Sequence, residues 1–146
     1  MNNSKVDKAV EYFKGPYSCS QAMMLTYATQ FGLDAEMSLR LGTGFAGGMS
    51  RHAEVCGAVT GAVMVIGLKY GMKNKDDDNA RAKTFELVSE LFKRFKAKHD
   101  SVSCRDILGC DISTIEGREL ASSENRFKTL CPDFVRTAAE ILEEIL

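Results

Sequence analysis

The stretch Glu54–Gly71, EVCGAVTGAVMVIGLKYG, decides the fold. From Val55 to Leu68 it carries no charge, and its only polar side chains are those of Cys56 and Thr60. Those 14 residues are too few to cross a bilayer, which takes ~20. A run of this length that is apolar on every side reads as a helix buried in a core. Gly57 and Gly61 are four apart and share one helix face, where a neighbouring backbone can come close. The expected centre is therefore a buried helix over about residues 55–71, with Cys56 in its first turn and Gly71 at its end.

The flanking sequence is helical in pattern. Proline occurs only at Pro16 and Pro132, and no run alternates as a strand would. Val6, Val10 and Phe13 define a short helix over 5–14 that Gly15 and Pro16 end. Ser18 can cap a second helix bearing Cys19, Ala22, Met23 and Thr26, running to about Gly32. A third spans Asp34 to Leu41. The glycine-rich GTGFAGGMSRHAE (42–54) follows no strand and lacks a Gly-Lys-Ser/Thr ending, so it satisfies neither a P-loop nor a dinucleotide fingerprint. It reads as a tight connection lying against other backbone.

After the central helix, NKDDDNARAK (74–83) opens a long helix with acids in its first turn. Its apolar stripe is expected at Ala82, Phe85, Val88, Leu91, Phe92 and Phe95, with His99 as a favourable charge at its end. Ser103 and Asp106 suggest a capping box for a short helix that stops at Gly109. Residues 111–130 read as a polar connector with a helical turn near Leu120–Phe127. Pro132 opens a last helix with Phe134, Val135, Ala138, Ile141, Leu142 and Ile145 facing inward. The expected architecture is all-α: one multihelical, bundle-like domain over residues 1–146.

Composition narrows the function. Nineteen Lys plus Arg against twenty Asp plus Glu leave no field that would draw nucleic acid or an anionic membrane. There is no tryptophan, and the basic residues are not interleaved with aromatics as a stacking platform requires. The opening MNNSKVDKAVEYFKG lacks the apolar core of a secretory leader, so a cytoplasmic location without membrane insertion is expected. Five cysteines in that compartment point to metal, catalysis or redox exchange and not to a static disulfide framework.

Four of the five fall at expected helix starts: Cys19 after Ser18, Cys56, Cys104 after Ser103, and Cys131 before Pro132. Unpaired N–H groups at a helix start stabilise a thiolate, and reactive cysteines often owe a lowered pKa to that position. The plain alternative is that free cysteine is a small hydrophobe used as filler. Metal or an iron–sulfur cluster held by the same four is the competing chemistry, although their spacings of 37, 48 and 27 residues match no zinc or ferredoxin signature. His52, four residues before Cys56, stands as a base, a ligand or a loop histidine. Cys110 lies just beyond a helix end.

SCSQAM around Cys19, GFAGGMSRHAEVCGAVTGA around Cys56, SCRDILGCD around Cys104 and LCPDFVRTAAEIL around Cys131 together resemble the C_GCAxxG_C_C family, named for its cysteines and CGAxxG motif. The resemblance runs over nearly the whole chain. It implies a small bacterial or archaeal helical protein with a thiol redox role, often encoded near transporters. It also implies Cys19, Cys56, Cys104 and Cys131 as the functional set, with Gly57, Ala58 and Gly61 shaping the helix around Cys56; Cys110 lies outside the pattern.

The leading expectation is thiol–disulfide exchange. Cys56 would act as nucleophile, one of the other three would resolve the mixed disulfide, and His52 stands beside them as a candidate base. The partner would be a redox protein or a small thiol, with no cofactor needed. A metal or iron–sulfur protein and a non-catalytic binding module are the alternatives. A homodimer through the faces at Phe85–Phe95 and Phe134–Ile145 is a further possibility.

Overall fold

A computed structural model describes residues 4–146; Met1 to Asn3, part of the stretch read for a leader, lie outside them. The described residues are predominantly helical. In chain order the elements are α1 (Lys5–Lys14), α2 (Cys19–Tyr27) with a 3-10 extension (Ala28–Phe31), α3 (Ala35–Thr43), the single turn α4 (Ala46–Met49), α5 (Gly57–Tyr70), α6 (Asp78–His99), α7 (Cys104–Leu108), α8 (Ile115–Ser123), α9 (Arg126–Thr129) and α10 (Cys131–Ile145). Strand-like pairing is confined to one antiparallel bridge between Val55 and Ser103.

Local chemistry sets the boundaries. Ser4, Ser18, Asp34, Asp77 and Thr114 each accept a hydrogen bond from a backbone N–H in the first turn of the helix that follows. At Ser18 the box is complete, because the Gln21 side chain returns to the Ser18 N–H at 3.1 Å. Left-handed Gly32 ends the extension of α2, and left-handed Gly109 ends α7.

The apolar α5 lies at the centre and packs against α2, α6 and α10. Ala58, Val59, Ala62, Val65 and Ile66 are fully buried. Its two spaced glycines do what the sequence suggested. A Cβ at Gly61 would lie 2.8 Å from the Met23 Cβ, and one at Gly57 would lie 2.4 Å from the Cys19 sulfur. The α2 backbone thus rests directly on the glycine face of α5.

Three expectations need correction. The buried stripe of α6 runs through Leu87, Leu91 and Phe95, four residues apart, while Phe85 is 65% exposed. Only Asp78 of the acidic run lies in the first turn of α6, because Asp77 is its cap. The capping box at α7 does not form: Ser103 Oγ reaches Ala53 O at 3.4 Å, and it is Ser101 that donates to the Asp106 carboxylate, at 2.8 Å. On α10, Phe134, Val135, Ala138, Ile141 and Leu142 are buried within the chain itself.

The connection 44–56 positions the site. Gly47, Gly48, Met49, Ser50 and Arg51 all have positive φ, between 49° and 70°, as does Ala53. A left-handed turn costs roughly 1–2 kcal/mol for each residue that is not glycine. The cost is met by closure on every side. Glu54 N donates to Gly48 O at 2.9 Å, Cys56 N to Val102 O at 2.8 Å, and Cys104 N to Glu54 O at 2.6 Å. A tight connection was legible in the glycines; its hand was not.

Candidate functional site: a four-cysteine cavity

Each cysteine of the expected set sits where a helix begins. Cys19 is the first residue of α2, behind the Ser18 cap. Cys56 is the cap residue of α5. Cys104 and Cys131 are the first residues of α7 and α10, and Pro132 fills the next position of α10, where its missing N–H is not needed. The bridge between residues 53–56 and 102–105 ties the backbone at Cys56 to the backbone at Cys104 although 48 residues separate them in sequence.

All four line a single cavity of about 440 Å³. Its walls are largely apolar: Phe13 from α1, Ile107 and Leu108 from α7, Ile112, Phe127 from α9 and Phe134 from α10. Gly47, Gly48 and Gly57 bring bare backbone to its surface, and Arg51 and Arg118 supply its charged groups. Cys56 and Cys104 are 5% and 8% exposed; Cys19 and Cys131 are partly buried. All five cysteines of the chain are free thiols.

Burial dominates the electrostatics. It pushes the Cys56 thiol well above its usual range, and the neighbouring Cys19 pushes in the same direction. The N–H groups of Ala58 and Val59, at the start of α5, oppose this without winning; neither closes a full capping bond to the sulfur. Burial likewise takes Cys104 up to about 12 and raises Cys131, each with a further push from Cys19. At neutral pH these thiols are protonated. The helix end does not by itself make Cys56 a thiolate.

Cys19 is raised by burial as well, but it faces the richest set of donors. The N–H groups of Gly47, Ser20, Cys19 and Gly57 all favour its charged form. They come from the start of α2, the left-handed turn and the start of α5. Three segments distant in sequence thus surround one sulfur.

The remaining candidates lie elsewhere. His52 is exposed, its Nδ1 is 2.7 Å from Met49 O, and it does not line the cavity. Cys110 is buried beside the cavity, close enough to push up Cys104 and Cys131, and next to Arg126. His99 is packed against Phe95 and Phe134, with Nε2 2.8 Å from Thr137 Oγ1; burial lowers its pKa, so it is a neutral ring and not the helix-end cation expected. Among the described residues no three Cys, His, Asp or Glu side chains are grouped so as to hold a metal ion.

Arg51, Arg118, Phe127 and Phe134 are the site residues that sequence reasoning missed. Arg51 stands five positions before Cys56 within a quoted motif, which was a usable signal. Arg118 lies in the polar connector and carried none.

A family model described as "Putative redox-active protein (C_GCAxxG_C_C)" matches residues 17–145, from just before Cys19 to the end of α10. Searches of curated proteins and of solved structures returned no significant match.

Proposed function

The chain belongs to the C_GCAxxG_C_C family, and from that premise we propose that it carries out thiol–disulfide exchange inside the four-cysteine cavity. The observation that carries this reading is the convergence of Cys19, Cys56, Cys104 and Cys131, each at a helix start, on one cavity. Filler cysteines would be scattered through the core.

Cys19 is the nucleophile in this reading. It gathers the most N–H donors, and its charge raises the other three, which is the pattern of the thiol that ionises first. Cys19, itself raised by burial, gives up its proton as it attacks one sulfur of a substrate disulfide, and the departing thiolate takes up that proton. Cys56, whose chain neighbour Gly57 lies against the Cys19 sulfur, then gives up its proton and attacks Cys19. That step releases the second substrate thiol and leaves a Cys19–Cys56 disulfide. Two electrons have passed to the substrate. Cys56 faces fewer N–H donors than Cys19, which suits it to the second step, once a mixed disulfide has formed beside it.

Treatment of the reduced protein with a small disulfide, followed by mass mapping, is expected to return a Cys19–Cys56 bond. In Cys56→Ser the mixed disulfide should accumulate on Cys19. A protein whose four cavity thiols stay reduced, or that forms bonds only at Cys110, would overturn the reading.

A further inference from the structure

Six of the eight arginines pair with a carboxylate within the chain, as Arg136 does with Asp7 and Arg105 with Asp111. Among the described residues, Arg51 and Arg118 meet none. Among the described residues these two are also the only charged ones that line the thiol cavity, with no Asp, Glu or Lys in its wall. Their placement is built. Arg118 donates from Nη1 to Ile112 O at 3.0 Å, which holds the fork and leaves its other N–H groups free. Arg51 leaves the chain from the left-handed turn, held by Arg51 N donating to Ala46 O at 3.2 Å. Unpaired guanidinium groups beside an apolar wall are suited to a carboxylate arriving with a ligand.

The rest of the wall selects further. Phe13, Phe127 and Phe134 favour an apolar body behind the anionic end. Cavities that take small ligands run from ~300 to ~1,000 Å³, so about 440 Å³ suits a compact molecule and not a folded protein segment. Resting on the thiol-exchange reading above, we infer that the substrate is a small anionic disulfide, its carboxylate held by Arg51 or Arg118 while its sulfurs meet Cys19 inside the cavity. The reaction balances as described: two protein thiols become one disulfide, and the substrate leaves as two thiols.

Three disulfides of similar size and opposite charge test this: dithiodipropionate (anionic), hydroxyethyl disulfide (neutral) and cystamine (cationic). Oxidation of the reduced full-length protein is followed with each, and every rate is divided by the rate of the same disulfide with dithiothreitol. The anion is expected to lead the cation by about tenfold, the advantage of two partly exposed ion pairs. Arg51→Gln and Arg118→Gln should each reduce that ratio, and Arg118→Lys should keep it. Equal normalised rates for the three, or a disulfide-bonded protein reacting as fast as the anion, would overturn the inference while leaving thiol exchange intact. No oxidation by any of them would remove both.

Discussion

The smallest decisive contact is between Gly57 and Cys19. A methyl group at position 57 would sit 2.4 Å from the Cys19 sulfur and 3.1 Å from Phe45 O, with backbone on one side and the sulfur on the other. Gly57→Ala is expected to lower stability by about 1–3 kcal/mol through overpacking. It should also move the Cys19 sulfur away from the N–H groups around it. Urea unfolding reads the first effect and the rate of Cys19 alkylation reads the second; a variant unchanged in both would show that the contact matters to neither packing nor thiol. Ser38 offers the opposite case. It is fully buried in α3, and its hydroxyl has no hydrogen-bond partner among the described residues. Removing an unsatisfied buried polar atom is favourable, so Ser38→Ala should raise the urea midpoint by the equivalent of about 1 kcal/mol.

Among the elements, the left-handed turn and the bridge beside it hold Cys19, Cys56 and Cys104 in one place. Gly48 is the hinge of that arrangement. Its φ is +67°, and a Cβ there would lie 2.6 Å from Glu54 N and 2.8 Å from Cys104 Cβ. Gly48→Ala should cost about 2–4 kcal/mol, combining left-handed strain with a clash against backbone. The bond from Glu54 N to Gly48 O should then exchange its amide hydrogen faster than the amides of α5. At the junction of α6 and α10, His99 adds a pH dependence. Its folded pKa lies below the ordinary 6.5, chiefly through burial, so the unfolded chain binds the proton more readily. Stability is therefore complete above pH 6.5 and declines as pH falls through that value. Urea midpoints between pH 7 and about pH 5 should fall for the native chain and flatten in His99→Gln.

For the molecule as a whole, burying several thiols together makes the fold sensitive to alkali. Cys104 moves from an ordinary 9.0 to about 12, and Cys19, Cys56 and Cys131 move in the same direction. Above pH 9 the unfolded chain releases these protons while the folded chain keeps them, so stability falls as pH rises toward about 12. Tyr27, buried with its hydroxyl donating to the Glu143 carboxylate at 3.1 Å, adds to the same trend. Midpoints measured across that range should drop more steeply for the native chain than for Cys104→Ser.

Most helix positions, the buried centre and the four candidate cysteines were legible from local pattern, whereas α8 and α9 form within a stretch that read as a polar connector. Apolar periodicity, Ser and Asp caps, and the Gly57–Gly61 face are set by residues within a turn or two of one another. That is why α1 ends where the sequence suggested and why Cys19, Cys56, Cys104 and Cys131 fall at helix starts. The errors are also local in origin: on α6 the line through Phe85 and the line through Leu87 are equally apolar in sequence, and only the neighbouring helices choose between them. The thiol pKa values depend on how much of the fold closes over each sulfur, a sum of long-range contacts. The same holds for the left-handed turn, paid for by bonds to residues 102–105, and for the shared cavity wall that Arg51 and Arg118 line although 67 positions apart. By itself the sequence determined which thiols face a helix start; the tertiary structure decided that they share one cavity, that burial outweighs the helix ends, and that Cys19 collects the donors.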